Sequence, residues 1–301
     1  MNVKNVSIYK IVACLTALFI FAFSMNYYSP SAKASNTTRG YKIFDASTNE
    51  CIYEYSLNAL TNTYPATRSV IGNENRGESY KDNGVVKIIT NLSSGTGFVV
   101  DKHTIATAAH CIYNANTTVS ISEILLFDEN TSTTGNAQAE LSATPVEYHI
   151  PLNFISAQDD DTRSNYDYAL ITVEEDLTDY LMFDMGVVLD SALNQIVSVS
   201  GFPYTIGVSP NETTVNTSTI HNLYKGNGYI TDLSNPLKIW YDTDTSGGNS
   251  GSPVYYTYTY NGIKYNVVIG INTSGGVDAN AAIRITTDQL HFYKNNPYIA
   301  W

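Results

Sequence analysis

PVYYTYTYNGIKYNVVIGI, residues 253–271, is the stretch on which the fold turns. Two runs rich in β-branched and aromatic residues flank Asn261-Gly262, a pair suited to the positive-φ positions of a tight hairpin. Working outward, similar short runs recur at Val85–Ile89, Gly97–Val100, Ala169–Val173, Ile196–Val199 and Leu237–Tyr241. Turn residues separate them and no helices intervene, which predicts an all-β sandwich or barrel rather than βαβ units. Only Thr287–Asn295 reads as a helix, with Thr287 as cap, Asp288 in the first turn, and Leu290 and Tyr293 on one face.

The N-terminal region has a different character. Lys4 and Lys10 give a positive leader, Ile11–Phe23 an apolar stretch, and Ala32-Lys33-Ala34 a small-x-small cleavage pattern. That apolar run is about 13 residues, short of the about 20 that a membrane span needs. Residues 1–34 are therefore expected to be a signal peptide and the product to be secreted. Residues 35–68 are polar, rich in Tyr and Asn, and show little periodicity.

The formal net charge is −12. Residues 1–68 hold six of the 16 Lys/Arg and three of the 28 Asp/Glu, so the rest carries 10 basic against 25 acidic residues, a net −15. Such a surface repels nucleic acid and anionic membranes, and neither is expected as a partner. Asp159-Asp160-Asp161 reads as a solvated loop, with a calcium site as the alternative. Of three cysteines, Cys14 falls in the leader and Cys51 in the polar segment, leaving Cys111 as a lone, small buried side chain.

Two strings carry chemistry. Gly247-Gly248-Asn249-Ser250-Gly251-Ser252-Pro253 presents a serine in a glycine turn, and Thr107-Ala108-Ala109-His110-Cys111 delivers a histidine at the end of a strand. A serine hydroxyl is almost wholly protonated at neutral pH and needs a base within hydrogen-bond reach. Asp167, between Tyr166 and Tyr168 and just before an apolar strand, is the candidate carboxylate to orient that base. The backbone N–H groups of Gly248 and Ser250 are the expected oxyanion hole. His103, His149, His221 and His291 lack partner motifs and read as surface or structural.

On these residues the chain resembles the chymotrypsin-like serine proteases, and more narrowly the bacterial glutamyl endopeptidases, relatives of the exfoliative toxins. The matching stretches are Ser69–Gly72, Ala106–Tyr113, Asn165–Tyr168, Ser200–Pro203, Asp244–Pro253 and Val268–Ile271. The resemblance implies an all-β fold of two six-stranded antiparallel Greek-key barrels with a short C-terminal helix. Residues 69–183 would form the first barrel, with His110 and Asp167, and residues 184–301 the second, with Ser250 and the specificity pocket. It implies a secreted serine endopeptidase made with a propeptide, 35–68, removed by an activating protease that cuts near Arg68. Protein or peptide substrates are the expected partners, of a monomer needing no cofactor or metal.

In that family the new α-amine helps to bind an acidic substrate side chain, which would place Ser69 and Val70 at the pocket. Asn249 stands where pancreatic-type proteases carry an Asp that pairs with the amine. Thr245 matches a residue that hydrogen-bonds the substrate carboxylate, and Asn272 stands where the family has His. Thr273, Ser274 and Gly275 would pair with extended substrate. Gly95 occupies the position of a cysteine in disulfide-bearing members. Cleavage after Glu is expected. The alternatives are a neutral or narrow toxin-like specificity, and a catalytically silent binding protein on the same fold.

Overall fold

The computed structural model describes residues 37–59, 75–78, 82–114, 117–128, 138–206, 215–216, 221–275 and 278–294. The expected signal peptide, the Arg68 junction, Ser69 and Val70 lie outside the described residues. The described part falls in one compact unit that begins at Thr37.

Among the described residues, beside two two-stranded ladders, Thr205–Ile206 with Val215–Asn216 and Tyr113–Asn114 with Thr117–Thr118, two large sheets dominate. The first is built on β1 (Thr37–Asp45), β2 (Cys51–Ala59), β3 (Val85–Thr90), β4 (Ser94–Asp101), β5 (Thr104–Thr107), β6 (Ile121–Leu126), β7 (Pro145–Pro151) and β8 (Ala169–Val173). A two-residue strand, Leu141–Ser142, pairs with β6, and the order then runs β6, β3, β4, β5, β8, β7, β1, β2. Six strands, β6 through β7, correspond to the expected first barrel. Among the described residues the ladder does not close on itself; it continues into the β1–β2 hairpin.

That hairpin corrects the expectation of an unpatterned segment before residue 69. Asp45 Oδ1 accepts the N–H groups of Ser47 and Thr48 at 2.9 and 2.8 Å, and Asn49 takes a φ of 59°, which turns the chain back. Phe44, 9% exposed, enters the main hydrophobic cluster. Burying a side chain of that size stabilises by roughly 1.5–3 kcal/mol.

The second sheet uses β9 (Ile196–Gly201), β10 (Tyr224–Asp232), β11 (Lys238–Tyr241), β12 (Pro253–Tyr260), β13 (Ile263–Gly275) and β14 (Asn280–Arg284). Pairings β9–β10, β10–β11, β11–β14, β14–β13, β13–β12 and β12–β9 close a six-stranded barrel. The β12–β13 hairpin turns at Asn261 and Gly262, with φ of 51° and 79°, the backbone that Asn-Gly predicts. Gly77–Glu78 also pairs with β10, so this early segment joins the second sheet rather than the first.

Among the described residues three α-helices appear where one was expected. α1 (Leu152–Ser156) and α2 (Asp160–Ser164) are single turns, too short to leave a period in the sequence. Asp159, read as a loop residue, caps α2 by accepting Thr162 N–H at 2.8 Å. α3 (Thr287–Lys294) is the C-terminal helix, but its cap is Thr286 rather than Thr287. Gln289 Oε1 accepts the Thr286 N–H at 3.0 Å and Thr286 Oγ1 accepts the Asp288 N–H at 3.3 Å, reciprocal contacts akin to a capping box. Tyr293 is fully buried and Leu290 packs beside the core, as one face requires.

Candidate active site

β5 runs antiparallel between β4 and β8 and ends at Thr107, which places the following single 3₁₀ turn, Ala109–Cys111, at the rim of the first sheet. His110 rides on that turn. Asp167 lies just before β8, so the pairing of β8 with β5 (Ala169 opposite Thr107) brings carboxylate and imidazole together. Asp167 Oδ2 contacts His110 Nδ1 at 2.6 Å, and Oδ1 accepts the His110 backbone N–H at 2.9 Å. The carboxylate is 6% exposed and so grips both the ring and its backbone away from water.

Ser250 comes from the closed barrel, in the connection from β11 to β12. Its Oγ lies 2.5 Å from His110 Nε2. Gly248 takes a φ of +90° and Asn249 N–H donates to Ser246 O at 3.1 Å, the form of a type II turn. A Cβ at Gly248 would stand 2.2 Å from the Phe202 carbonyl oxygen, so both conformation and space call for glycine. Thr96, on β4, fastens this turn to the first sheet: its Oγ1 donates to Gly248 O at 2.8 Å and its N–H to Ser250 O at 2.7 Å.

Burial alone would lower the pKa of His110. The Asp167 carboxylate outweighs it, Cys111 adds to the effect, and the ring is held above its ordinary 6.5. Lys238, 1% exposed on β11, donates to Ser164 Oγ at 2.8 Å, three residues before Asp167. Burial lowers its pKa, while Asp167 and Asp161 act to raise it.

The expected pocket residues are placed as follows. Thr245 is 1% exposed and its Oγ1 has no hydrogen-bond partner among the described residues. Asn272 is fully buried, and both ends of its amide are engaged: Oδ1 accepts Tyr241 OH and Nδ2 donates to Asn249 O, each at 2.6 Å. Thr273, Ser274 and Gly275 continue β13, whose pairing with β12 stops at Ile271 while the β14 side goes on to Gly275.

Tyr204 is a contributor that the sequence did not single out. Its N–H donates to Gly247 O at 2.5 Å, its OH accepts Ser94 N–H at 2.8 Å, and its ring lies where Cβ atoms on Gly247 and Gly248 would go. Cys111 is a free, buried thiol, and a Cβ at Gly95 would meet its Sγ at 2.7 Å. Among the described residues, no group of three or more His, Cys, Asp or Glu side chains is arranged to hold a metal ion.

Comparisons with known proteins bear on the family and the fold. The sequence model of a family described as "Trypsin-like peptidase domain" matches residues 95–259. A glutamyl endopeptidase of Bacillus licheniformis is 27% identical over 247 residues, 76% of this chain and 70% of the relative. An extracellular metalloprotease of Bacillus subtilis is 27% identical over 201 residues, 64% of this chain and 55% of the relative. A solved structure of a Glu endopeptidase in complex with MPD superposes with a TM-score of 0.59 at 20% identity, covering 75% of this chain and 97% of that one. That likeness shows the chymotrypsin-like fold.

Proposed function

Because the chain belongs to the trypsin-like peptidase family and is accordingly a serine endopeptidase, we propose that it cleaves peptide bonds with Ser250 as nucleophile, His110 as general base and Asp167 as the orienting carboxylate. The observation that carries the reading is the continuous chain of short contacts, Ser250 Oγ to His110 Nε2 and His110 Nδ1 to Asp167. With its Nδ1 proton held toward Asp167, the ring accepts the serine proton at Nε2 as Oγ attacks the scissile carbonyl. The tetrahedral oxyanion is received by the N–H groups of Gly248 and Ser250 in the glycine turn. The imidazolium then protonates the leaving amine, and water repeats the sequence on the acyl-enzyme.

For specificity, we propose cleavage after Glu, with the unpartnered Thr245 hydroxyl donating to the substrate carboxylate. Asn272 carries no charge, and its amide is held by Tyr241 and Asn249, which leaves tolerance for Asp or Gln. Extended substrate pairs along Thr273 to Gly275 by strand addition. Secretion is supported by the leader pattern of residues 1–34 and by a relative named as extracellular. Activation follows a cut near Arg68 that frees the α-amine at Ser69 or Val70. Domain limits at 68/69 and 183/184 belong to the same reading.

A peptide-library cleavage profile of the activated protein tests both levels. Cleavage after Glu, lost together with organophosphorus labelling in Ser250→Ala and His110→Ala, is the expected result. Cleavage after aromatic or basic residues with Glu ignored would overturn the specificity and keep the triad; undiminished cleavage by Ser250→Ala would overturn the triad.

A further inference from the structure

We propose that residues 37–59 remain in the working enzyme as a non-covalent hairpin of the first sheet after the chain is cut at Arg68. The proposal rests on the activation reading above. It starts from the edge of β7. Five positions of β1, Tyr41 to Asp45, pair in unbroken antiparallel register with Pro151 to Glu147, and Ala46 N–H donates to Val146 O at 2.9 Å. Without β1 that row of backbone groups would become an open sheet edge, a template for pairing with another chain.

Side chains fasten the hairpin at two further points. Phe44 sits in the core with its ring 5.9 Å from Tyr113, which follows the His110 turn. Tyr41 meets Phe292 of α3 edge-on at 5.7 Å, and Phe292 meets Tyr168 edge-on at 5.1 Å, next to Asp167. The hairpin thus supports both segments that carry the first-sheet members of the triad. Its presence is compatible with catalysis, because the Ser250–His110–Asp167 contacts are complete while it is docked. Neither strand contains Arg68, so the cut severs the covalent link without touching the ladder.

The test uses the full chain, cut after Arg68 and examined by native mass spectrometry, size exclusion and N-terminal sequencing. The expected result is a one-to-one complex with two N-termini, one of them at Ser69 or Val70, whose small fragment separates only in denaturant. The same precursor with Phe44→Ser should lose its fragment on native size exclusion after cutting, with at least a ten-fold lower retained fraction. An active wild-type enzyme that is a single chain beginning at Ser69 or Val70, with no fragment attached, overturns retention and leaves the activation reading standing. An active enzyme uncut near Arg68 overturns the activation reading and the two-chain form with it. Equal retention of wild-type and Phe44→Ser fragments overturns the assignment of the core contact.

Discussion

The two sheets solve the same problem differently. The second closes into a barrel of six strands, each paired on both sides, with the short Gly77–Glu78 strand added at β10 and the buried Asp82 carboxylate accepting the hydroxyls of Ser200 and Tyr255. The first runs open among the described residues and ends in a hairpin drawn from upstream. The proposed catalytic parts are divided along this line. The closed half holds the glycine turn and Ser250, where positions must be fixed to a fraction of an ångström. The open half holds His110 and Asp167, of which His110, in the proposed mechanism, exchanges a proton and re-forms its contacts on every turnover.

The largest effect expected at this seam comes from removing the closed half's contribution. Ser250→Ala should lower kcat by about 10⁶, leaving the residue of activity that binding and the oxyanion hole supply. Thermal unfolding should change little, since only one oxygen is lost. Burst kinetics and denaturation scans on the same preparation check both statements. Retained wild-type turnover would break the comparison at its centre.

Asp167→Asn probes the open half and should cost about 10⁴ in kcat, because the amide favours the wrong imidazole tautomer. It also has a pH signature. His110 works as a base only when neutral, so activity rises as pH climbs through its pKa. The carboxylate raises that pKa above 6.5, which places the acidic limb of kcat/KM higher than for an unperturbed histidine. Removing the charge while burial remains should move the limb to lower pH. A limb that stays put would show that Asp167 is not what holds the imidazole.

These residues were legible in the sequence because each sits in a local string: small residues before His110, glycines around Ser250, an apolar strand after Asp167. Thr96 and Tyr204 were not, since each acts through contacts with residues distant in sequence, which leave no local pattern. The β1–β2 hairpin was hidden for another reason. Ile43 and Phe44 of β1 face Tyr53 and Cys51, so Ile52 is an extra residue in β2 and the alternation that marks a strand breaks there. The helical turn at Asp160–Ser164 escaped notice because five residues cannot show a period. The closed barrel, by contrast, was foreshadowed by its Asn261-Gly262 turn.

Gly248→Ala tests whether the closed half truly presets the oxyanion turn. At φ +90° alanine is strained by about 1–3 kcal/mol, and its Cβ would press on the Phe202 carbonyl. A displaced donor should lower kcat by roughly 10²–10³ with little change in KM. Steady-state kinetics on one good peptide substrate decide it.

The smallest effects separate the pocket's reader from its support. Asn272→Ala removes two hydrogen bonds from a fully buried place, those to Tyr241 OH and Asn249 O, a penalty of about 1–3 kcal/mol. It should lower the Tm while leaving the ratio of Glu to Gln cleavage nearly unchanged. Thr245→Val should do the reverse. Valine keeps the shape of threonine, and the hydroxyl it removes has no protein partner among the described residues, so folding loses no hydrogen bond. If that hydroxyl donates to a substrate carboxylate, its loss costs on the order of 1 kcal/mol in the transition-state complex, several-fold in kcat/KM. The loss should fall on Glu substrates more than on Gln substrates, because the bond to a charged acceptor is the stronger one. Paired peptides differing only in that residue measure the ratio directly. An equal loss on both, or none, would mean that Thr245 packs against substrate without reading its charge.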